Sequence, residues 1–331
     1  MKMQACWYET CGPAREVLHV GPVNRPQPGP GEVLVQVHVS GVNPTDIKRR
    51  SGARGALPFA RMTPGYDGAG IIEAVGDGVT ASRIGERVWV WEAAHQRAAG
   101  SAAEYLVVTG ERAMPLPAST SFADGACLGV PAMTACRGLM LGGNLAGETI
   151  IVTGGAGAVG NYAIQLAKRL GAMVIATARD DEKATDARRA GADHVCGLAP
   201  KDLGDLALEI TNGKGVRHML DVDLGAHLSE AWRFIAENGS LASYGTQSDP
   251  APIFPFPQYM YRNISLHGMA IFNIPDAAKL STAAIVQKAL EEGDLFSRID
   301  GSYPLDEIAS AHERQESGLA RGKILIELHG A

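Results

Sequence analysis

The 331-residue chain is short of the features on which several protein classes depend. Cysteine occurs five times, at Cys6, Cys11, Cys127, Cys136 and Cys196, an odd and scattered set without a CxxC pair. That spacing argues against a disulfide framework and against a structural zinc knuckle. No stretch reaches the roughly 18 uncharged apolar residues of a membrane span. The opening MKMQACWYETCG also lacks the apolar run of about 7 to 15 residues that a secretory signal carries. Long basic blocks are missing and the formal net charge is −6, so neither nucleic acid nor a membrane surface is an expected partner. A cytoplasmic, reducing location is expected. Aromatic residues are sparse at 6 %, against 46 % hydrophobic residues in all, the balance of an enzyme rich in Val, Ala and Ile.

Glycine is in excess: 40 of 331 residues, well above the usual share of roughly 7 %. There is no Gly-X-Y period, so collagen is excluded, and the length corresponds to about two domains. The first third alternates at period two. In EVLVQVHVS, Val33, Val35, Val37 and Val39 fall on one face, and AGIIEAVG, ERVWVW and AEYLVV read as further short antiparallel strands between Gly-containing turns. From about residue 148 the rhythm becomes strand, helix, strand: TIIVT, AVGNYAIQLAKRLGA, MVIATA, a charged helix, DHVC, RHMLDV, a helix around AHLSEAWRFIAENG, and SLASYG ending at Gly245. That alternation implies a parallel sheet covered by helices. Val159, Ala163, Leu166, Ala167 and Leu170 form the helix face expected against the sheet. A proline-rich connection, SDPAPIFPFP, precedes a tail whose strands, from ISLHGMAIF to GKILIEL, are expected to return to the first domain.

The chemical signal is TIIVTGGAGAVG, where a β-branched strand runs into Gly155-x-Gly157-x-x-Gly160 and then into an amphipathic helix. In a dinucleotide site the first glycine permits the turn, the second admits the pyrophosphate and the third allows close helix–strand packing. The phosphates meet the helix N-terminus, here the backbone of Ala158 and Val159. Nineteen residues beyond Gly160, where an acidic residue would hold the ribose of NAD, the chain reads Thr177-Ala178-Arg179-Asp180-Asp181, with Lys183 following. Arg179 suits a 2′-phosphate and favours NADPH; the other reading leaves Arg179 as a solvated charge and gives the ribose to Asp180.

Over its whole length the chain resembles the medium-chain dehydrogenase/reductase superfamily, and within it the zinc-free quinone oxidoreductases of the zeta-crystallin group. The resemblance is carried by SGVNPTDIKRRSG (40–52), TPGYDGAGIIEAVGDGV (63–79), GVPAMTACRGL (129–139), TGGAGAVG (153–160), GKGV (213–216) and YPLDEIASAHERQESGLARGKILIEL (303–328). It implies an α/β fold with a GroES-like β-barrel domain, residues 1–124 and 269–331, and an inserted Rossmann domain, residues 125–268. A homodimer is also implied.

At the positions where related zinc alcohol dehydrogenases carry a catalytic Cys, His and Cys, this chain has Asn43, Tyr66 and Val130, none a good zinc ligand. Hydride transfer from NADPH to an acceptor that is already electrophilic, a quinone or other α,β-unsaturated carbonyl, is the chemistry the resemblance leaves. Asn43 is the expected hydrogen-bond donor to the acceptor oxygen, and the resemblance places it, with Thr134, near the nicotinamide as a cofactor-binding residue; the other reading of Asn43 is a turn residue before Pro44. Lys48 stands where many members have a Tyr, the proposed proton donor of the related enoyl reductases, and reads otherwise as a solvated cation within Lys48-Arg49-Arg50; Tyr66 is an alternative donor or, equally, a packing wedge in a glycine-rich loop. Lys183 matches a position near the 2′-phosphate, Gly245 one under the ribose and Phe272 one near the carboxamide, whereas Leu198 replaces a stacking Tyr. Trp91, Met133 and Phe254 are candidates for an apolar slot, and Cys127 and Cys136 read as small buried residues. An enoyl-thioester or 2-alkenal reductase, and an NADPH-binding sensor or structural protein with incidental activity, stay open as other readings.

Overall fold

The computed structural model describes residues 1–293 and 295–328. The chain divides into two compact units, Met1–Val130 with Ser297–Ala331, and Pro131–Phe296. The inserted arrangement is the expected one, but the boundaries are not: the second unit extends to Phe296, beyond the predicted end at residue 268. Strand Ser265–Gly268 pairs in parallel with Ile235–Ser243, so ISLHGMAIF does not return to the first domain. The following helix, Asp276–Glu291, stays with the second unit through contacts that no local pattern signals. Thr282 Oγ1 meets Met140 sulfur at 4.0 Å, Glu292 pairs with Arg169, and Phe296 exchanges hydrogen bonds with the Gln165 amide at 2.9 and 3.0 Å. The tail strands that do return are Ile299–Pro304 and Lys323–Glu327; residues 294 and 329–331 of the predicted first domain lie outside the described residues.

In the first unit the long strand Glu32–Val42 organises the sheet. One edge pairs with Asp67–Val75; the other pairs with Tyr105–Thr109 along residues 32–36 and with Lys323–Glu327 along residues 39–42. Val33, Val35 and Val37 are buried with Ile72, Val88, Leu106 and Val108. Val39 leaves this face, because the register shifts between Val37 and Val39 and a bulge of one residue turns the following side chains over.

The second unit holds a six-stranded parallel sheet in the order His194–Cys196, Met173–Thr177, Thr149–Val152, Val216–Asp221, Ile235–Ser243, Ser265–Gly268. Chain order reverses between the third and fourth of these, and ligands of such sheets bind at the carboxyl ends of the strands at that point. Helix Ala158–Arg169 is buried over Gly160–Ala167, whereas Leu170, expected on its inner face, is 48 % exposed at the C-cap. The helix expected over AHLSEAWRFIAENG spans only Leu224–Ala231. Phe234 and Ile235 are drawn into the core and the Phe234 carbonyl accepts the Val216 N–H at 2.8 Å, so the chain has already become strand. Among the described residues no helix is long and apolar enough to cross a membrane.

Gly160 lies inside a helix, where alanine ordinarily stabilises by about 1 kcal/mol. Here a Cβ would come 2.2 Å from the Gly154 carbonyl oxygen and 2.9 Å from the Gly155 Cα, backbone atoms that have no rotamer to change. Gly160→Ala is therefore expected to reverse the sign and destabilise the second unit by about 1–3 kcal/mol, read as a lower midpoint in urea followed by far-UV circular dichroism.

Candidate active site

The glycine-rich turn divides its labour differently from the sequence expectation. The left-handed residue is Gly154, with φ of +65°, not Gly155. Gly155 is instead a packing residue, since a Cβ there would meet Ala176, Ile164 and Ala187 at 3.0–3.1 Å. Gly160 allows the helix to lie against the turn, as expected. Gly157 is exposed and N-caps the helix Ala158–Arg169, and the Gly154 carbonyl oxygen at 3.2 Å is the one atom near a Cβ built on it. Space is therefore open over the first helical turn. The N–H groups of that turn, among them Ala158 and Val159, both half-buried, have no intrahelical acceptor. Open space, unpaired donors and the positive end of a 12-residue helix fit a pyrophosphate.

Thr177, expected to touch the cofactor, is 1 % exposed and holds the turn in place: its Oγ1 accepts the Gly154 N–H and its carbonyl accepts the Gly155 N–H, each at 3.0 Å. Sequence reasoning missed Thr153 and Asp221, which fix the other side. Thr153 Oγ1 donates to Asp221 Oδ1 at 2.7 Å and accepts the Val222 N–H at 2.8 Å, tying together the two strand ends at the switch point.

At the end of the second strand Arg179 and Asp180 are both exposed, but Asp180 is engaged. Its Oδ1 accepts the Lys183 N–H at 2.8 Å as the N-cap of helix Asp181–Arg189. Lys183 is half-buried in that first turn. Gly245 lies beyond the end of its strand at Ser243, and a Cβ there would come 2.4 Å from the Val222 carbonyl oxygen, which accounts for the glycine by packing. Thr134 and Phe272 are buried, 5 % and 8 % exposed, in helix Met133–Met140 and in the turn Ile271–Asn273. Met133 and Trp91 are core residues, whereas Phe254 and Leu198 are exposed. Burial pushes the Cys127 and Cys136 thiols up to about 12, so neither is a thiolate near neutrality.

The first unit contains a buried polar cluster that gathers Asn43 and residues the sequence reading passed over. Asn43 N-caps helix Pro44–Arg50. Asp46, three residues on, accepts the Asn43 N–H at 2.9 Å on one carboxylate oxygen and the Gly65 N–H at 2.7 Å on the other. One carboxylate thus holds the backbone of Asn43 and the loop entering Tyr66. Asp67 accepts Asn43 Nδ2 at 2.9 Å on Oδ2 and the Val130 N–H at 2.7 Å on Oδ1. Lys323 Nζ donates to Asn43 Oδ1 and to Asp67 Oδ2, both at 2.5 Å. The Asn43-x-x-Asp46 spacing is legible as a helix start. Lys323 is not, because 256 residues separate it from Asp67.

Tyr66 is 5 % exposed; burial and then the Asp46 charge raise its phenol above the usual value, and a hydrogen bond with the Arg49 guanidinium opposes them. The phenol keeps its proton throughout the neutral range. Lys48 does not join the cluster. It stands on the exposed side of helix Pro44–Arg50. Among the described residues no group of three or more His, Cys, Asp or Glu is arranged to hold a metal ion.

Burial pushes Asp46 up to about 6, against the opposing pull of the Gly65 and Asn43 N–H groups and of Lys323. Unfolded, the group titrates near 3.9. Between those values the folded state binds the extra proton, so this group's contribution falls as pH rises from about 4 to 6, by roughly 3 kcal/mol in all. Asp46→Asn is expected to remove that slope. Urea unfolding of both proteins at pH 4.5, 5.5 and 7 measures it, and parallel pH profiles would refute it.

A zinc-binding dehydrogenase family model matches residues 158–286, and an alcohol dehydrogenase GroES-like domain model matches residues 29–118. The quinone oxidoreductase of Rattus norvegicus is 33 % identical over 289 residues, covering 87 % of this chain and 86 % of that protein. Among solved structures, a mycobacterial protein complexed with NADPH is similar with a TM-score of 0.85 at 26 % identity, over 98 % of this chain and 99 % of its own. An NAD-dependent alcohol dehydrogenase is similar with a TM-score of 0.89 at 27 % identity, over 99 % of this chain and 100 % of its own. Both domain types are matched, and the likeness to the rat enzyme runs through most of both sequences. The chain is an oxidoreductase and belongs to the quinone oxidoreductase family of the medium-chain dehydrogenases/reductases.

Proposed function

We propose that the protein is an NADPH-dependent, zinc-independent reductase of quinones and related activated carbonyls. The observation that carries the cofactor choice is the commitment of Asp180 to a helix N-cap. A carboxylate that caps its own helix is engaged by a backbone donor, which leaves Arg179 as the exposed side chain suited to the ribose substituent, with Lys183 one turn on. A guanidinium is a bidentate partner for a 2′-phosphate. The mycobacterial neighbour with bound NADPH is in keeping with this assignment. Bound at the Gly157 turn, NADPH supplies a hydride.

The chain's own residues account for the rest. Gly157, Ala158 and Val159 would hold the pyrophosphate, and Arg179 with Lys183 the 2′-phosphate. Asn43, Tyr66 and Val130, at the positions that resemble metal-ligand positions of zinc dehydrogenases, are poor zinc donors, which supports a reaction that needs no Lewis acid. Asn43 is the proposed donor to the oxygen that gains charge, and Tyr66, protonated and held by Arg49, the proposed proton source. A quinone makes the smaller demand on that proton, because its reduced oxygen also takes one from water. An enone requires protonation at carbon, so quinones are the preferred acceptors. The expected homodimer is part of this reading; exposed Ile253, Phe256 and Tyr261 supply apolar surface for it, and size-exclusion chromatography with light scattering tests it. A cytoplasmic location is retained as the expectation.

Arg179→Ala is expected to raise KM for NADPH at least tenfold in steady-state reduction of 1,4-benzoquinone, while KM for NADH changes less than twofold. Equal effects would place the 2′-phosphate elsewhere. Gly157→Val puts side-chain carbons into the open space over the helix N-terminus. It is expected to abolish NADPH binding in titration calorimetry while the far-UV spectrum and melting temperature stay near those of the unmodified protein.

A further inference from the structure

Asn43, Asp67 and Lys323 are each no more than 2 % exposed. Lys323 has only donors and Asp67, as a carboxylate, only acceptors. The amide between them therefore has one permitted orientation, Oδ1 toward the ammonium and Nδ2 toward the carboxylate. A flip would set NH2 against the ammonium and C=O against the carboxylate. Space is cleared for the lysine by Gly41, where a Cβ would lie 2.5 Å from Lys323 Cε and 2.3 Å from the Ala126 carbonyl oxygen. Such a pair is a poor device for stability alone, since desolvation of two ions offsets much of their attraction and well-packed apolar side chains often do as well.

The arrangement has an electronic consequence. A cation on Oδ1 draws density through the amide and makes its N–H groups stronger donors, as hydrogen bonds in a chain polarise one another. One Nδ2 hydrogen goes to Asp67. For the other, the nearest protein acceptor is the Gly41 carbonyl at 3.4 Å, longer than a normal N–H···O bond. We infer that Lys323 and Asp67 are positioning residues that fix and polarise the Asn43 amide, so that its second N–H serves as the donor to the acceptor's carbonyl oxygen as that oxygen gains charge. The inference rests on the reading of Asn43 as that donor.

The test is a cycle of variants assayed with 1,4-benzoquinone and with a simple enone. Asn43→Ala is expected to lower kcat about 100-fold, the size found when an oxyanion donor is removed, with the NADPH dissociation constant unchanged within twofold. The double variant Asp67→Asn/Lys323→Met removes both members of the ion pair together, so neither is left buried without the other. It is expected to lower kcat by a similar factor, more for the enone than for the quinone, with the NADPH dissociation constant again unchanged. The triple variant is expected to lose no more than either, because groups that act as one unit are not additive. A folded double variant with kcat within twofold of the parent, or losses that multiply in the triple variant, would overturn the inference. Should the double variant not fold, Asn43→Asp tests the donor on which the inference rests: it keeps the volume and the Lys323 partner, removes both N–H groups and sets a second carboxylate oxygen against Asp67, and retained kcat would overturn the proposal. Full activity in Asn43→Ala removes the donor assignment as well, whereas absence of quinone or enone turnover in the parent protein removes the reductase reading itself.

Discussion

A lysine from the last described strand sits on an aspartate and an asparagine from the first quarter of the chain, and the first unit is built around that meeting. Two ions and an amide removed from water are tolerable only if every partner is in place. Lys323 reaches Asn43 and Asp67 because Lys323–Glu327 pairs with residues 39–42 of Glu32–Val42. Asp67 in turn opens the strand Asp67–Val75 and holds the backbone at Val130. With residue 323 fixed beside residues 43 and 67, the intervening compact unit, Pro131–Phe296, is necessarily an insertion. The same contacts that close the fold also set the direction of one amide, Asn43, so in the proposed function architecture and chemistry share their residues.

In the proposed function the second unit meets a different demand, that of holding a polyanion with few side-chain charges. Its means are backbone donors at a helix start and glycines that keep other atoms away. Thr153, Asp221 and Thr177 hold that backbone by hydrogen bonds from both neighbouring strands. In the proposed assignment, selectivity between nucleotides falls to Arg179 and Lys183, set apart from the phosphate turn along the chain, so that binding and discrimination are expected to be separable by substitution.

What was legible in the sequence was local. The Gly155-x-Gly157-x-x-Gly160 run could be placed because the strand before it and the helix after it are contiguous in the chain, although the left-handed turn belongs to Gly154. Period-two alternation located Glu32–Val42 but misplaced Val39, since a bulge leaves no mark in hydrophobicity. The unit boundary at Phe296 depends on the Gln165 amide, and the Asp67–Lys323 pair on residues 256 apart; neither contact has a local signature. Lys48 was placed by correspondence with a tyrosine position, and its exposure follows from the helix phase, with Thr45, Asp46 and Ile47 buried beside it.

The central claim is that hydride passes from NADPH to an activated acceptor with no metal required. It is tested most directly by steady-state reduction of 1,4-benzoquinone after exhaustive dialysis against a chelator, with NADPH and NADH compared side by side. The predicted result is kcat/KM unchanged by the dialysis and at least tenfold higher with NADPH. Loss of turnover that returns on adding zinc, or equal use of the two nucleotides, would contradict it.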